Sequence, residues 1–226
     1  SDAERRGAHR ALSEVLIEEA DVDRRAWHLA LATVWPDESV VQLLEQTAVR
    51  ARRRGGFEAA CMALERAAEL TAEPEARAGR LAAAGQSAWE AGQLVRAAGL
   101  LEEARLLTAD PIVSADVDQL RAWIELSIGS GMMARRLLID AAKEIADIDP
   151  DRALEMLAAA AEAAWIAGDA QAGAELGQVA ARLPPADTPR ARFLTHLFNG
   201  FVGLLNGGVA RPVRALRDAM DLAGEP

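Results

Sequence analysis

Three histidines, one cysteine, one lysine and a few adjacent carboxylates are the residues of this chain that could carry reactive chemistry. Metal ligation and proton transfer both need such groups at short, face-sharing spacings. His9, His28 and His196 are far apart in sequence and have no such spacing. His28 follows Trp27 in an apolar run and reads as a satisfied structural histidine. Cys61 lies in Ala59-Ala60-Cys61-Met62-Ala63 with no His or Lys beside it, which predicts a buried, inert thiol. As the single cysteine it allows no internal disulfide. Lys143 is the one lysine, and no Gly-x-x-x-x-Gly-Lys-Ser/Thr phosphate loop is formed around it. Glu18-Glu19 and Glu102-Glu103 read as solvated helix faces, and no nucleophile elbow occurs. These residues predict a chain that binds rather than catalyses, with no metal and no cofactor in this segment.

The elements that would position a binding site are read from a repeat. A glycine followed twelve residues later by an alanine recurs at Gly55/Ala67, Gly92/Ala104, Gly168/Ala180 and Gly207/Ala219. A fifth, less regular copy is read at Ser130-Gly131 with Ala142. Ala60 and Leu64 of the first copy match Ala97 and Leu101 of the second, but Arg135, Gly173 and Pro212 stand where the later copies should carry the first alanine. The glycine can take the left-handed conformation that ends one helix, so the next starts at once. The first alanine lets the two helices of a hairpin touch, and the leucine is expected to face the next hairpin. Pro74, Pro111 and Pro150 mark the far ends of the hairpins, with Pro184-Pro185 at the later junction. The expected fold is all-α, a right-handed superhelical stack of about twelve helices. These span 2–19, 22–34, 37–53, 57–70, 74–90, 93–107, 112–128, 132–147, 151–167, 170–182, 187–206 and 209–223. Residues 1–36 form an N-terminal helical pair, and 37–226 form an array of about five hairpins.

Composition agrees with this reading. Hydrophobic residues make up 51% and aromatics only 4%, so alanine fills the core and helices approach closely. A net charge of −10 argues against this segment gripping a nucleic-acid backbone. No apolar run reaches transmembrane length and no signal peptide opens the sequence, so a cytoplasmic location is expected. Ser1-Asp2-Ala3 reads as an expression remnant, and the abrupt Gly224-Glu225-Pro226 end suggests a segment of a longer protein.

The repeat register singles out a binding face. Trp89 and Trp165 each lie three residues before a turn glycine, and Arg52 holds the same place before Gly55. Gln86, Glu162 and Phe201 come one turn earlier on that face. In a concave stack these six would line the groove, where rigid aromatics serve as anchors. The alternative is packing of the two tryptophans between neighbouring hairpins. Trp27, Trp35 and Trp123 read as core. Arg50-Ala51-Arg52-Arg53-Arg54 is either a set of cations favoured at a helix C-terminus or a docking patch for an acidic partner. Gly200 and Gly203 read as sites of close helix packing, with Phe193, Phe198 and Phe201 around them.

The connecting glycine, small contact residues and trailing proline resemble tetratricopeptide repeats, on a longer period of 37–39 residues. The front of the chain resembles the large ATP-binding regulators of the LuxR family, relatives of MalT. That likeness rests on Ala8-His9-Arg10-Ala11-Leu12, Asp23-Arg24-Arg25-Ala26-Trp27-His28-Leu29-Ala30 and Pro36-Asp37-Glu38. Ala88-Trp89-Glu90-Ala91-Gly92 and Ala164-Trp165-Ile166-Ala167-Gly168 are similar to the family's repeat region. The resemblance implies a sensor or interaction segment of a transcriptional regulator. ATP would belong to an upstream module and DNA contact to a helix-turn-helix downstream. The implied partners are a protein or small-molecule effector in the groove and other domains of the parent chain, with no membrane. A tetratricopeptide-like scaffold or adaptor of another signalling protein is the alternative.

Overall fold

The computed structural model describes residues 1–185 and 187–223; the expected C-terminal end at Gly224-Glu225-Pro226 lies outside them. All regular structure among the described residues is helical. The chain divides into two compact units, Ser1–Asp110 and Pro111–Pro226. The first contains α1 (Asp2–Val15), a 3-10 turn (Glu19–Asp21), α2 (Val22–Ala32), α3 (Glu38–Arg53), α4 (Phe57–Glu69), α5 (Pro74–Glu90) and α6 (Leu94–Leu107). The second contains α7 (Pro111–Ser127), α8 (Gly131–Ile145), α9 (Pro150–Ile166), α10 (Ala172–Ala180), α11 (Pro189–Leu205) and α12 (Ala210–Ala223). Within each unit successive helices pack as antiparallel hairpins, five in all after the α1–α2 pair. The expected boundary at 36/37 follows the repeat register, and the α2–α3 connection lies inside the first unit. No helix among the described residues is long and apolar enough to cross a membrane.

Each hairpin is closed by the same device. Gly55, Gly92, Gly129, Gly168 and Gly207 have φ of +74°, +76°, +87°, +69° and +75°. In each case the residue after the glycine donates its N–H to a carbonyl five residues back: Gly56 to Ala51, Gln93 to Ala88, Ser130 to Glu125, Asp169 to Ala164 and Gly208 to Gly203. The glycine N–H takes the carbonyl three residues back, as in Gly92 to Trp89 at 2.8 Å. Two orphan carbonyls of the first helix are thereby satisfied within a turn that only a residue without Cβ adopts freely.

This geometry corrects the third copy. Its turn glycine is Gly129, and Gly131 has joined α8, where a Cβ would meet the Ala167 side chain at 2.9 Å. Counting from Gly129 puts Ala134, Leu138 and Ala141 at the repeat positions, all buried, and Arg135 is no longer an exception. Proline opens α5, α7, α9 and, at Pro189, α11. Pro184-Pro185 lies in the connection before it and does not mark the helix start. Glu73, Asp149 and Thr188 accept the N–H of Ala76, Arg152 and Ala191 ahead of three of these prolines.

The repeat leucine also faces elsewhere than expected. A Cβ on Gly85 would meet Leu101 Cγ at 2.8 Å, and one on Gly200 would meet Leu216 at 2.5 Å. The leucine therefore fills the gap inside its own hairpin, opposite a small residue on the first helix. Gly203 likewise makes room for Pro212. The fourth hairpin has Gly177 at the leucine position; its α10 is short, and α11 packs directly on α9. At the front, α1 ends at Val15 instead of residue 19, and Val15 and Ile17 are left exposed.

The register predicts a reversed ranking at two nearby glycines. At Gly129 the conformation is left-handed, so Ala should cost roughly 1–2 kcal/mol and Asn less, since Asn tolerates that region. At Gly131 only space is scarce, so Asn should cost more than Ala. Urea denaturation of the four variants reads this, and an identical ranking at both sites would overturn the register.

Candidate partner-binding site

The six face residues fall into two groups, one in each unit. In the first, Arg52 ends α3 while Gln86 and Trp89 lie in the last turns of α5. Arg52 Nη2 reaches Glu90 Oε1 at 2.8 Å, and its Nη1 donates to the Ser87 hydroxyl at 3.3 Å. Gln86 Nε2 donates to the same Glu90 oxygen at 3.2 Å. Glu90 is thus the collecting point of this group, and its other oxygen, Oε2, is buried with no donor among the described residues. Glu90 lies one residue beyond the register position of Trp89, so the repeat pattern does not single it out. The signal was present as a carboxylate one residue after Trp89, matched by Arg52 one repeat earlier.

In the second unit Trp165 closes α9 and Phe201 lies in α11. Their ring centroids are 5.8 Å apart at 48°, a tilted aromatic contact. Trp165 nevertheless remains 50% exposed. It packs against the next hairpin through Phe201 and keeps about half of its surface open to solvent. Trp89 is half-buried. Glu162 is exposed one turn before Trp165.

Other expectations met different outcomes. Trp27 packs against the core formed by Ala30, Val40, Val41, Leu44, Ala67 and Leu70. Trp35 is 79% exposed, because it lies in the α2–α3 connection and no helical face carries it inward. Trp123 is also incompletely covered, on the outer side of α7. Cys61 is buried, and burial first, then the nearby Glu65 charge, push its thiol up to about 11. It stays protonated at neutral pH, which suits a packing role. Histidine spacing concealed one contact: Nδ1 of His9 and Nδ1 of His28 approach to 2.9 Å, joining α1 to α2. One ring donates and the other accepts, so His28 is satisfied by a partner nineteen residues away.

The Arg50–Arg54 run serves the fold. Arg50 and Arg54 both hold Asp23 of α2, at 2.7 and 2.8 Å, and Arg52 holds Glu90. Burial opposes ionisation of Asp23, but the hydrogen bonds from Arg54 and Arg50 prevail and lower its pKa. Similar bridges link neighbouring hairpins elsewhere: Arg80 to Glu38 and Glu45, Arg96 to Glu65, Arg190 to Glu155. Among the described residues no group of three or more potential ligands could hold a metal ion.

No family model and no curated protein matches the chain in sequence. Among solved structures, the crystal structure of BtubC (BKLC) from P. vanneervenii is similar, with a TM-score of 0.61 and 14% identity. The match covers 99% of this chain and 91% of that one. At this identity the likeness concerns the fold alone.

The Asp23 bridge has a pH signature. Its folded pKa lies below the unfolded value of about 3.9, so its contribution is complete above that value and is lost as pH falls through the folded one. Asp23→Asn should lower stability at neutral pH by on the order of 1 kcal/mol and flatten the acid side of the stability curve. Urea melts from about pH 2 to pH 7 read this; parallel curves for wild type and variant would reject the bridge.

Proposed function

We propose that the chain is the effector-sensing or protein-interaction segment of a LuxR-type ATP-dependent transcriptional regulator. The observation that carries the binding role is the Trp165–Phe201 pair: two rings in contact, one of them half exposed at the end of a first helix. A ring held in one orientation by its neighbour offers contact area with little loss of rotamer freedom on binding. Glu162, one turn away, would select a partner with a donor or a positive group. In the first unit Arg52 and Gln86 hold the Oε1 oxygen of Glu90 and so order the polar end of that face beside Trp89 in sequence.

The regulator context is supported by the resemblance carried by Asp23–Ala30 and by the Trp-containing ends of α5 and α9. In this reading ATP and DNA belong to other modules of a cytoplasmic parent protein. Binding here would bias the parent's states by differential affinity. The scaffold reading predicts the same face without those modules. The gene sequence on both sides discriminates: the regulator requires an upstream phosphate loop and a downstream helix-turn-helix, and their absence leaves the scaffold.

The face itself is testable on the isolated chain. Peptides selected from a random library on the immobilised wild type should lose tenfold or more in affinity, about 1.4 kcal/mol, on Trp165→Ala or Phe201→Ala. Circular dichroism melts should show the variants folded. Selected peptides that bind both folded variants as tightly as wild type would reject this face.

A further inference from the structure

The first unit holds a cleft that shares no residue with the aromatic pair. The front of α1 and the α2–α3 connection enclose a cleft of about 500 Å³, within the size range of small-molecule sites. Arg6, Gly7 and Arg10 form one wall, on a single face of α1. Val34, Trp35 and Asp37 are among the residues of the other. We propose that this cleft binds a small organic anion bearing a flat ring, an aryl phosphate or aromatic dicarboxylate, with its charge on Arg6 and Arg10 and its ring on Trp35.

The charge argument starts from the arginines. Arg5, Arg24, Arg50, Arg54, Arg66, Arg77, Arg80 and Arg96 of this unit each meet a carboxylate. Arg6 and Arg10, like Arg25 and Arg53, have neither an ion pair nor a side-chain hydrogen bond among the described residues, but only Arg6 and Arg10 line the cleft. They stand one turn apart on the same face, where like charges repel. In a chain with a net charge of −10, acidic partners are plentiful, yet these two guanidiniums share a cleft and face no bonded carboxylate. A doubly charged oxyanion relieves their repulsion and matches their planar donors.

The ring argument starts from the backbone. The connection is pinned on both sides of Trp35. Arg66 donates to the carbonyls of Ala30 and Thr33, both at 2.8 Å, and the Thr33 hydroxyl donates to Leu29. Beyond Trp35, the Asp37 N–H donates to the Leu70 carbonyl, and the Asp37 carboxylate accepts from Ser39 and Val40. The segment is therefore fixed while its largest side chain is left 79% exposed. A fixed backbone presenting an uncovered indole is a preorganised stacking platform. Asp37 remains ionised, its pKa lowered first by the Ser39 hydroxyl and spent on its own helix cap, so the anionic end of the ligand belongs on the α1 wall.

Gly7 supplies a clean block. A Cβ there meets nothing within 4 Å and Gly7 lines the cleft, so a side chain can be added at the cleft wall, and it replaces a poor helix former with a good one. The test titrates phenyl phosphate and inorganic phosphate into the full chain, followed by the indole N–H resonance of Trp35, assigned with Trp35→Phe. Saturable binding of phenyl phosphate below ~10 mM is expected. Arg6→Gln with Arg10→Gln should weaken both ions tenfold or more. Trp35→Ala should weaken phenyl phosphate tenfold, read calorimetrically, and leave inorganic phosphate unchanged. Gly7→Leu should abolish both with a melting temperature equal to or above wild type. No saturable shift, undiminished affinity in the double arginine variant, or equal binding of the two ions would overturn the proposal.

Discussion

Everything in this molecule depends on five residues that have no side chain. At Gly55, Gly92, Gly129, Gly168 and Gly207 the chain turns through positive φ, and the two backbone bonds around each glycine fix where one helix stops and which way the next one leaves. Because the closing bonds reach back three and five residues, they also fix the rotation of the first helix at its end. That rotation sends Arg52, Trp89 and Trp165 to equivalent places, each with its carbonyl accepting the glycine N–H. The places of these three residues are thus set by a backbone conformation, and side-chain contacts then orient them, Arg52 on Glu90 and Trp165 on Phe201.

The interior follows from the same register. Seven residues before each turn glycine stands a small residue, Ala48, Gly85, Ala122, Ala161 or Gly200, and all five are buried. Nine residues after the glycine a leucine fills the space in four hairpins. A core of this kind has little apolar volume per residue, so close approach of backbones replaces large side chains. Arginine then ties neighbouring hairpins together at their polar edges: Arg80 and Arg96 each reach a carboxylate of the preceding hairpin, and Arg190 reaches back to α9. The planar guanidinium suits these two-oxygen contacts better than an ammonium, in keeping with a chain that has a single lysine.

Much of the fold was legible because helix ends carry chemical markers. Gly at the turn and Pro at the first helical position mark helix starts, and all twelve starts fall within two residues of their expected places. The third copy was misread because Gly129 and Gly131 are both glycines. Only one of them has positive φ; the other is small for Ala167, a residue of the next hairpin that one repeat cannot reveal. The size of Trp35 suggests core, but the connection that carries it outward has no period to read. The contacts of the site were the least legible part. His9 with His28, Arg52 with Glu90 and Trp165 with Phe201 all join residues nineteen or more apart. Their pairing depends on how helices sit against each other, which periodicity does not specify.

The fourth hairpin breaks the packing rule, and the break has a mechanical meaning. With Gly177 in place of the leucine, α10 is held by fewer interior contacts, while α9 and α11 grip each other directly. In the first and third hairpins the second helix, α4 or α8, packs both on its own partner and on the helix that follows, α5 or α9. Here α10 packs weakly on both neighbours, so it is a helix that can fray while the aromatic contact between α9 and α11 stays closed. Amide exchange would run fastest along that one short rod, and a proteolytic nick there would leave the second unit held across the gap.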